Sequence, residues 1–341
     1  MANRPFNSPN QEYRPGQLGI QGTSADAYTG EGGKCFFIGR PSTRDVAASD
    51  NHDGTDPREP MATLQGLIDR TAAIAAGTGT RQPYLREHDT IYIQTDITES
   101  VVTGSTATMP AHINIVGVSS GEWSPAWATD AVGSPCLTLR ALGWTVQGIK
   151  FLPGSASSGI RLEWVAASSY NASRATIKDC EFDGAWSGFY GIEFVGAPYD
   201  VKIIGNEFRE FTAAGNAYAI IIISTSEAHP YMCKIVDNIF WENENHVGSF
   251  DQDRCFNLTI IRGNTFHEGV LIPCTNKLDM RGAGARGENI VTSNIFCGDY
   301  SNTGGYYANQ TNPGNWVGNI AEDVLEAEVA DNGFTVAVPA A

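Results

Sequence analysis

A six-residue unit recurs seven times between Val146 and Ala321, and few folds can accommodate it. Six copies end on an aromatic: Val146–Phe151, Ile177–Phe182, Ile203–Phe208, Ile235–Phe240, Ile261–Phe266 and Val291–Phe296. The seventh, Trp316–Ala321, closes on Ala instead. Successive aromatic positions lie 31, 26, 32, 26 and 30 residues apart, and the last step to Ala321 is 25. A fixed motif at a variable period is what a solenoid with loop insertions requires.

The unit follows the physics of a β-coil. An apolar residue opens a strand and points inward, and two small or polar residues make a bend. Asn then holds one position in five copies (Asn206, Asn238, Asn264, Asn294, Asn319), and Cys180 takes it once. Equivalent residues in stacked coils sit about 4.8 Å apart, close enough for Asn side chains to hydrogen-bond along the stack. Two residues later the chain returns to the core with Phe151, Phe182, Phe208, Phe240, Phe266 or Phe296, rings that can stack and bury large apolar area. Each coil has open edges, so only stacking completes its hydrogen bonding. The expectation is an all-β chain, a single right-handed parallel β-helix with an N-terminal capping helix and an extended N-terminal arm.

Around this core the chain divides into four parts. Residues 1–32 are a polar arm without periodicity, which cannot offset its own ordering entropy and is expected to lie against its own domain or a neighbouring subunit. Residues 33–88 hold an opening strand, Cys35–Ile38, and a helix expected from about Pro60 to Ala76. Its apolar face would be Leu64, Leu67, Ile68, Thr71, Ala72 and Ala75, with Pro60 in the first turn and Gly77 at the end. Residues 89–321 are the β-helix, and residues 322–341 a C-terminal cap or tail. No helix-length pattern separates the strands after Asp89, which disfavours an α/β fold.

Composition narrows the partners. The formal charge of −16 repels phosphate backbones and anionic membranes, which argues against nucleic-acid and membrane partners. The longest aliphatic run, Ile220 to Ile223, is too short to span a bilayer, and the polar stretch Met1–Gln17 does not read as a signal peptide. The seven cysteines are odd in number and show no CxxC spacing, so they read as reduced core residues, with no metal site and no cofactor implied.

The stretch Leu137–Phe151 resembles the core coil of pectin-lyase-like right-handed β-helix proteins. The segment Asp53–Gln65 is similar to the turn that leads into their capping helix. The resemblance covers about residues 34–321. The family includes polysaccharide lyases and hydrolases, phage tailspikes and virion proteins without known catalysis, so fold does not choose among them. It implies a phage virion component, made in the host cytoplasm and displayed on capsid or tail. Such a protein is expected to be a homotrimer whose residues 1–32 contact a capsid or tail protein. The alternatives are a tailspike-type depolymerase of host glycan and a glycan-binding module without catalysis.

Catalysis, if present, needs carboxylates on one solenoid face. The column before the Phe reads Lys150, Glu181, Glu207, and a register match would bring Glu181 and Glu207 to roughly 5 Å, near the separation of a retaining glycosidase pair. The column two residues after the Phe reads Glu210, Glu242, Glu268, flanked by Arg209 and His267. The plain alternative is a solvated face with Lys150 neutralising part of it. Asp251, Asp253 and Arg254 read as a loop tip. The Gly-rich run holding Asp279, Arg281 and Arg286 lacks the Lys-Ser/Thr and helix of a phosphate loop. Trp123, Trp127, Trp164, Trp186, Tyr190, Tyr306 and Tyr307 lie outside the aromatic series and can serve a glycan surface, a subunit contact or the core.

Overall fold

The computed structural model describes residues 33–39, 47–79, 82–118, 124–212, 217–223, 229–249, 256–267, 276–279, 289–297, 307–308, 315–321 and 334–336. They form a right-handed parallel β-helix of three sheets. Each coil passes from the first sheet through a tight bend to the third sheet, and then by the second sheet back to the first. Strands Thr145–Gln147, Lys150–Leu152 and Ser158–Val165 are one such passage, followed by Thr176–Lys178 in the next coil. The first and third sheets have ten strands each. Apart from one short antiparallel pair, Trp164 with Asn171 and Val165 with Tyr170, the strand pairings are parallel.

Register in the third sheet follows the repeat. Phe151, Phe182, Phe208, Phe240, Phe266 and Phe296 pair in sequence along it. All are fully buried, with ring centroids 4.7–5.0 Å apart. Trp127, set outside the series by sequence, belongs to the stack, 5.5 Å from Phe151 and fully buried. Its indole N–H has a carbonyl acceptor at Glu99, which lets a Trp sit where a Phe would otherwise be needed.

The Asn column satisfies the backbone of the bend between the first and third sheets. Asn238 Oδ1 accepts the backbone N–H and the side-chain N–H of Asn206, while its own Nδ2 donates to the Ile203 carbonyl. The pattern repeats through Asn264, Asn294 and Asn319. Cys180 joins it by donating its N–H to Asn206 Oδ1, and its thiol points at the Lys178 carbonyl. The residue before each column position is left-handed: Gly148, Asp179, Gly205, Asp237, Gly263, Ser293 and Gly318 all have φ between 53° and 67°. Gly, Asp and Ser there are small enough, or bond locally enough, to accept that turn. A shorter ladder, Cys233–Thr259–Asn289, serves the corner where the second sheet returns to the first.

The capping helix spans Leu64–Ala75, with Thr63 as its N-cap; Pro60 precedes it, and the expected start four residues earlier is corrected. Thr63 Oγ1 accepts from Gly66 N–H, and the Glu99 carboxylate accepts from Leu64 and Gln65 N–H. These bonds satisfy the first turn and set a negative charge at its positive end. Leu64, Leu67, Ile68 and Thr71 are buried against the first coil, and Ala72 packs beside them; Ala75 is exposed, because the helix runs off the end of the core there. Cys136, Cys180 and Cys233 are buried thiols whose pKa burial pushes up to about 12, so they stay protonated. Among the described residues no group of His, Cys, Asp and Glu could hold a metal ion, and no helix is long and apolar enough to cross a membrane.

Candidate functional site

Residues flanking each Phe in the third sheet point away from the core. Register puts Lys150, Glu181, Glu207 and Ile239 in one outward column, and Asp183, Arg209 and Trp241 in the next. Glu181 and Glu207 are therefore direct neighbours. Neither is a free carboxylate. Lys150 Nζ lies 2.9 Å from Glu181 and 3.0 Å from Asp183, and Arg209 lies 2.6 Å and 2.8 Å from the same two groups. Two cations and two anions thus close a neutral square. Glu207 instead accepts the Trp241 indole N–H at 2.9 Å, and Arg209 sits 5.9 Å over the Trp241 ring.

The square biases its members. Burial works against the Asp183 carboxylate, but hydrogen bonds from Lys150, Arg209 and the Ala185 N–H outweigh it and hold the carboxyl below the usual range. Glu210, at the end of the adjacent strand, moves the other way. Partial burial and the charges of Asp183 and Glu242 raise it, against the opposing pull of Arg209 and Lys150. Glu210 and Glu242 hold equivalent left-handed corner positions, with φ of 60° and 52°. Glu268, the third member of that column, lies outside the described residues, as do Asp251, Asp253, Arg254, Arg281 and Arg286.

Directly after Asp183 the chain makes a tight loop against Glu210 of the next coil, and this loop exposes Trp186, 43 % accessible. Its N–H donates to the Glu210 carbonyl, its own carbonyl accepts from Thr212, and the Ala185 N–H donates to Asp183 Oδ1. Ala185 and Trp186 are both left-handed, at φ 45° and 63°, a conformation costing about 1–2 kcal/mol per residue. Gly184 fits because a Cβ there would lie 2.5 Å from the Glu210 carbonyl oxygen. The corner therefore combines an exposed aromatic plate, a low-pKa carboxylate, a raised carboxyl and two cations.

A second polar cluster, which the repeat alignment does not reveal, lies on the second sheet. Arg140 pairs with Glu163 at 2.6 Å, and Arg161 pairs with Glu193 at 2.9 Å and reaches Glu163 at 4.0 Å. Ser158 Oγ also donates to Glu193, and the Arg140 guanidinium lies 4.3 Å over the Tyr170 ring. Glu163 and Glu193 are 8 % and 4 % exposed, so the carboxylates are largely removed from water while the Arg140 and Arg161 guanidiniums stay partly exposed. Burial and the Glu193 charge push the Tyr190 phenol up to about 12. The signal was the alternation in Ser158–Val165, where Ile160 and Leu162 face the core and Arg161 and Glu163 face out.

No family model matches the chain, and no curated protein does. Among solved structures, a GH136 lacto-N-biosidase from Eubacterium ramulus is similar, with a TM-score of 0.52 at 11 % identity. The match covers 86 % of this chain and 60 % of that one, so the chain spans about three-fifths of the enzyme's length. Likeness at that identity is likeness of fold, a parallel β-helix shared with a glycoside hydrolase.

Proposed function

We propose that this chain is a structural component of a phage virion, a rigid β-helical rod displayed on capsid or tail and anchored through residues 1–32. One observation carries the non-catalytic part. The stacked carboxylates of the repeat are occupied, Glu181 by Lys150 and Arg209 and Glu207 by Trp241. A glycosidase needs one such group protonated and one poised to attack. The continuous Phe and Asn columns suit a rod whose task is mechanical. The resemblance to a family containing tailspikes and virion proteins supports the setting, and the polar arm supplies an attachment segment. Mass spectrometry and immunogold labelling of purified particles test this. The chain should be present on every particle and lost when residues 1–32 are deleted; its absence from intact particles would sink the proposal.

A second reading, glycan hydrolysis, is favoured by the corner at Asp183, Trp186 and Glu210. Neighbouring carboxyls with pKa values pushed apart are the usual signature of an acid/base pair. Here Asp183 would be the base or nucleophile, Glu210 the acid, and Trp186 the face on which a sugar ring stacks. The fold shared with the lacto-N-biosidase is consistent with it. Release of reducing ends from host surface polysaccharide, reduced about 10²–10⁴-fold in Glu210→Gln with the fold intact, would establish this reading over the first.

A further inference from the structure

The outer face of the first sheet carries the opposite charge to the rest of the chain. Its two outward columns run from Thr90 and Tyr92 to Ile290 and Thr292 without an acidic residue. The chain as a whole has 38 acidic residues against 22 basic ones. Of its six lysines, Lys178, Lys202 and Lys234 stand on this face, and Arg262 follows one coil further on. Lys178 is in register with Ile204, and Arg262 with Val236. Lys202 and Lys234 lie in the neighbouring column, two residues before Ile204 and Val236. Four cations therefore enclose an aliphatic pair on three sides.

Nothing in the fold answers these charges. The outward cations of the other two sheets, Lys150, Arg209, Arg140 and Arg161, each lie 2.6–3.0 Å from a carboxylate. Among the described residues no ion pair reaches Lys178, Lys202, Lys234 or Arg262. Lys202 and Lys234 are direct register partners, and like charges opposite each other in a sheet are destabilising. The free chain thus bears a cost here that an anion on the face would remove. Acids border the patch without entering it: Asp179 and Asp237 in the bend on one flank, and Asp200 at the corner on the other. Asp179 is itself engaged, accepting from Gln147 Nε2 at 3.1 Å.

We propose that this face docks a short acidic segment of a partner protein, one in which carboxylates alternate with aliphatic side chains. Charge complementarity selects the acid: four unpaired cations on a chain of charge −16 mark the place where an anionic partner can approach. Size selects a short segment. From Lys178 to Arg262 is three coil steps, about 14 Å, and the bordering Asp179, Asp200 and Asp237 repel any polyanion long enough to overrun the patch. The centre selects a peptide. Ile204 and Val236 offer an apolar contact that a polymer of phosphates leaves unfilled, whereas an aliphatic side chain between two carboxylates covers it. A contact this small is weak and steeply salt-dependent. The inference stands independently of the virion reading.

Fluorescence anisotropy of the full chain with a short labelled peptide, in which Glu alternates with Leu, tests it. The wild type is expected to bind at low ionic strength and to release the peptide as salt is raised. Lys202→Glu with Lys234→Glu should weaken binding about tenfold or more. Lys34→Glu with Arg58→Glu makes the same change in net charge near the capping helix and should leave binding unchanged. Should the charge reversal misfold, Lys202→Thr with Lys234→Thr, which copies Thr176 of the preceding coil, should weaken binding without lowering the urea midpoint. A peptide with Ser in place of Leu should bind more weakly, because it leaves Ile204 and Val236 uncovered. Three results overturn the proposal: no binding at low ionic strength, equal loss in the two charge-matched variants, or tighter binding of duplex DNA or phosphatidylserine vesicles through the same lysines.

Discussion

The same strands of the third sheet present two unlike faces. Inward, one residue type repeats: Phe at six consecutive positions, with Trp127 before them. Outward, neighbouring positions run through Lys, Glu, Glu, Ile, Thr, Ile and Ile. The inner column has a fixed spacing and a fixed neighbour, so any departure leaves a hole or a clash. The outer column meets solvent or partners and is free to vary along the rod. Stability is therefore concentrated on one face and chemistry on the other.

The sharpest way to break this contrast is to empty one inner position. Phe208 is fully buried between Phe182 and Phe240, so Phe208→Ala should cost about 3–5 kcal/mol in urea denaturation. The Asn ladder comes next. Asn238→Ala removes the acceptor of the Asn206 N–H and the donor to the Ile203 carbonyl, both buried, for an expected loss of about 2–4 kcal/mol. Equal effects from outward substitutions such as Lys202→Ala would erase the distinction between the faces.

What the sequence could reveal follows the same division. The Phe and Asn columns are visible because a solenoid forces one residue type into one place in every coil, and the repeat is thus a direct image of the core. Trp127 escaped because residues 118–125 separate Asn114–Gly117 from Ala126–Ala128, which breaks the six-residue spacing that marks the unit in the later coils. The helix start was misplaced because Pro60 suits a first turn, whereas Thr63 alone has a side chain able to cap Gly66. Outward residues carry no such image. The shared register of Glu181 and Glu207 follows from the repeat, but their partners do not: Arg209 reaches back one coil, and Trp241 donates from the coil beyond. The Arg140–Glu163–Arg161–Glu193 chain lies in the part of the coil where the period varies, and no alignment on Phe brings those residues together.

A gain sharpens the comparison further. Cys180 holds the Asn position, but its thiol replaces an amide, and the Val146 carbonyl has only a long 3.8 Å contact to the sulfur. Cys180→Asn would extend the ladder one coil toward the N-terminus. A stabilisation of about 0.5–1.5 kcal/mol is expected, the net worth of one hydrogen bond, read as a higher urea midpoint with unchanged slope.

On the outer face the smallest effect is electrostatic, and its sign is fixed by Asp183. Its folded pKa lies below the ordinary carboxylate value because Lys150, Arg209 and the Ala185 N–H favour the ionised form against burial. The folded state thus binds this proton less readily than the unfolded chain. The stabilisation is complete above the unfolded value of about 4 and is lost as pH falls through the lower folded value. Lys150→Met removes one of the two cations, so the Asp183 carboxyl, followed by NMR titration, should move up toward its ordinary value. The variant's stability deficit should be full at neutral pH and shrink as the solution is acidified below about pH 4. A deficit that grew on acidification would mean that Lys150 serves the fold through packing of its stem, and the outer face would then share the inner one's role.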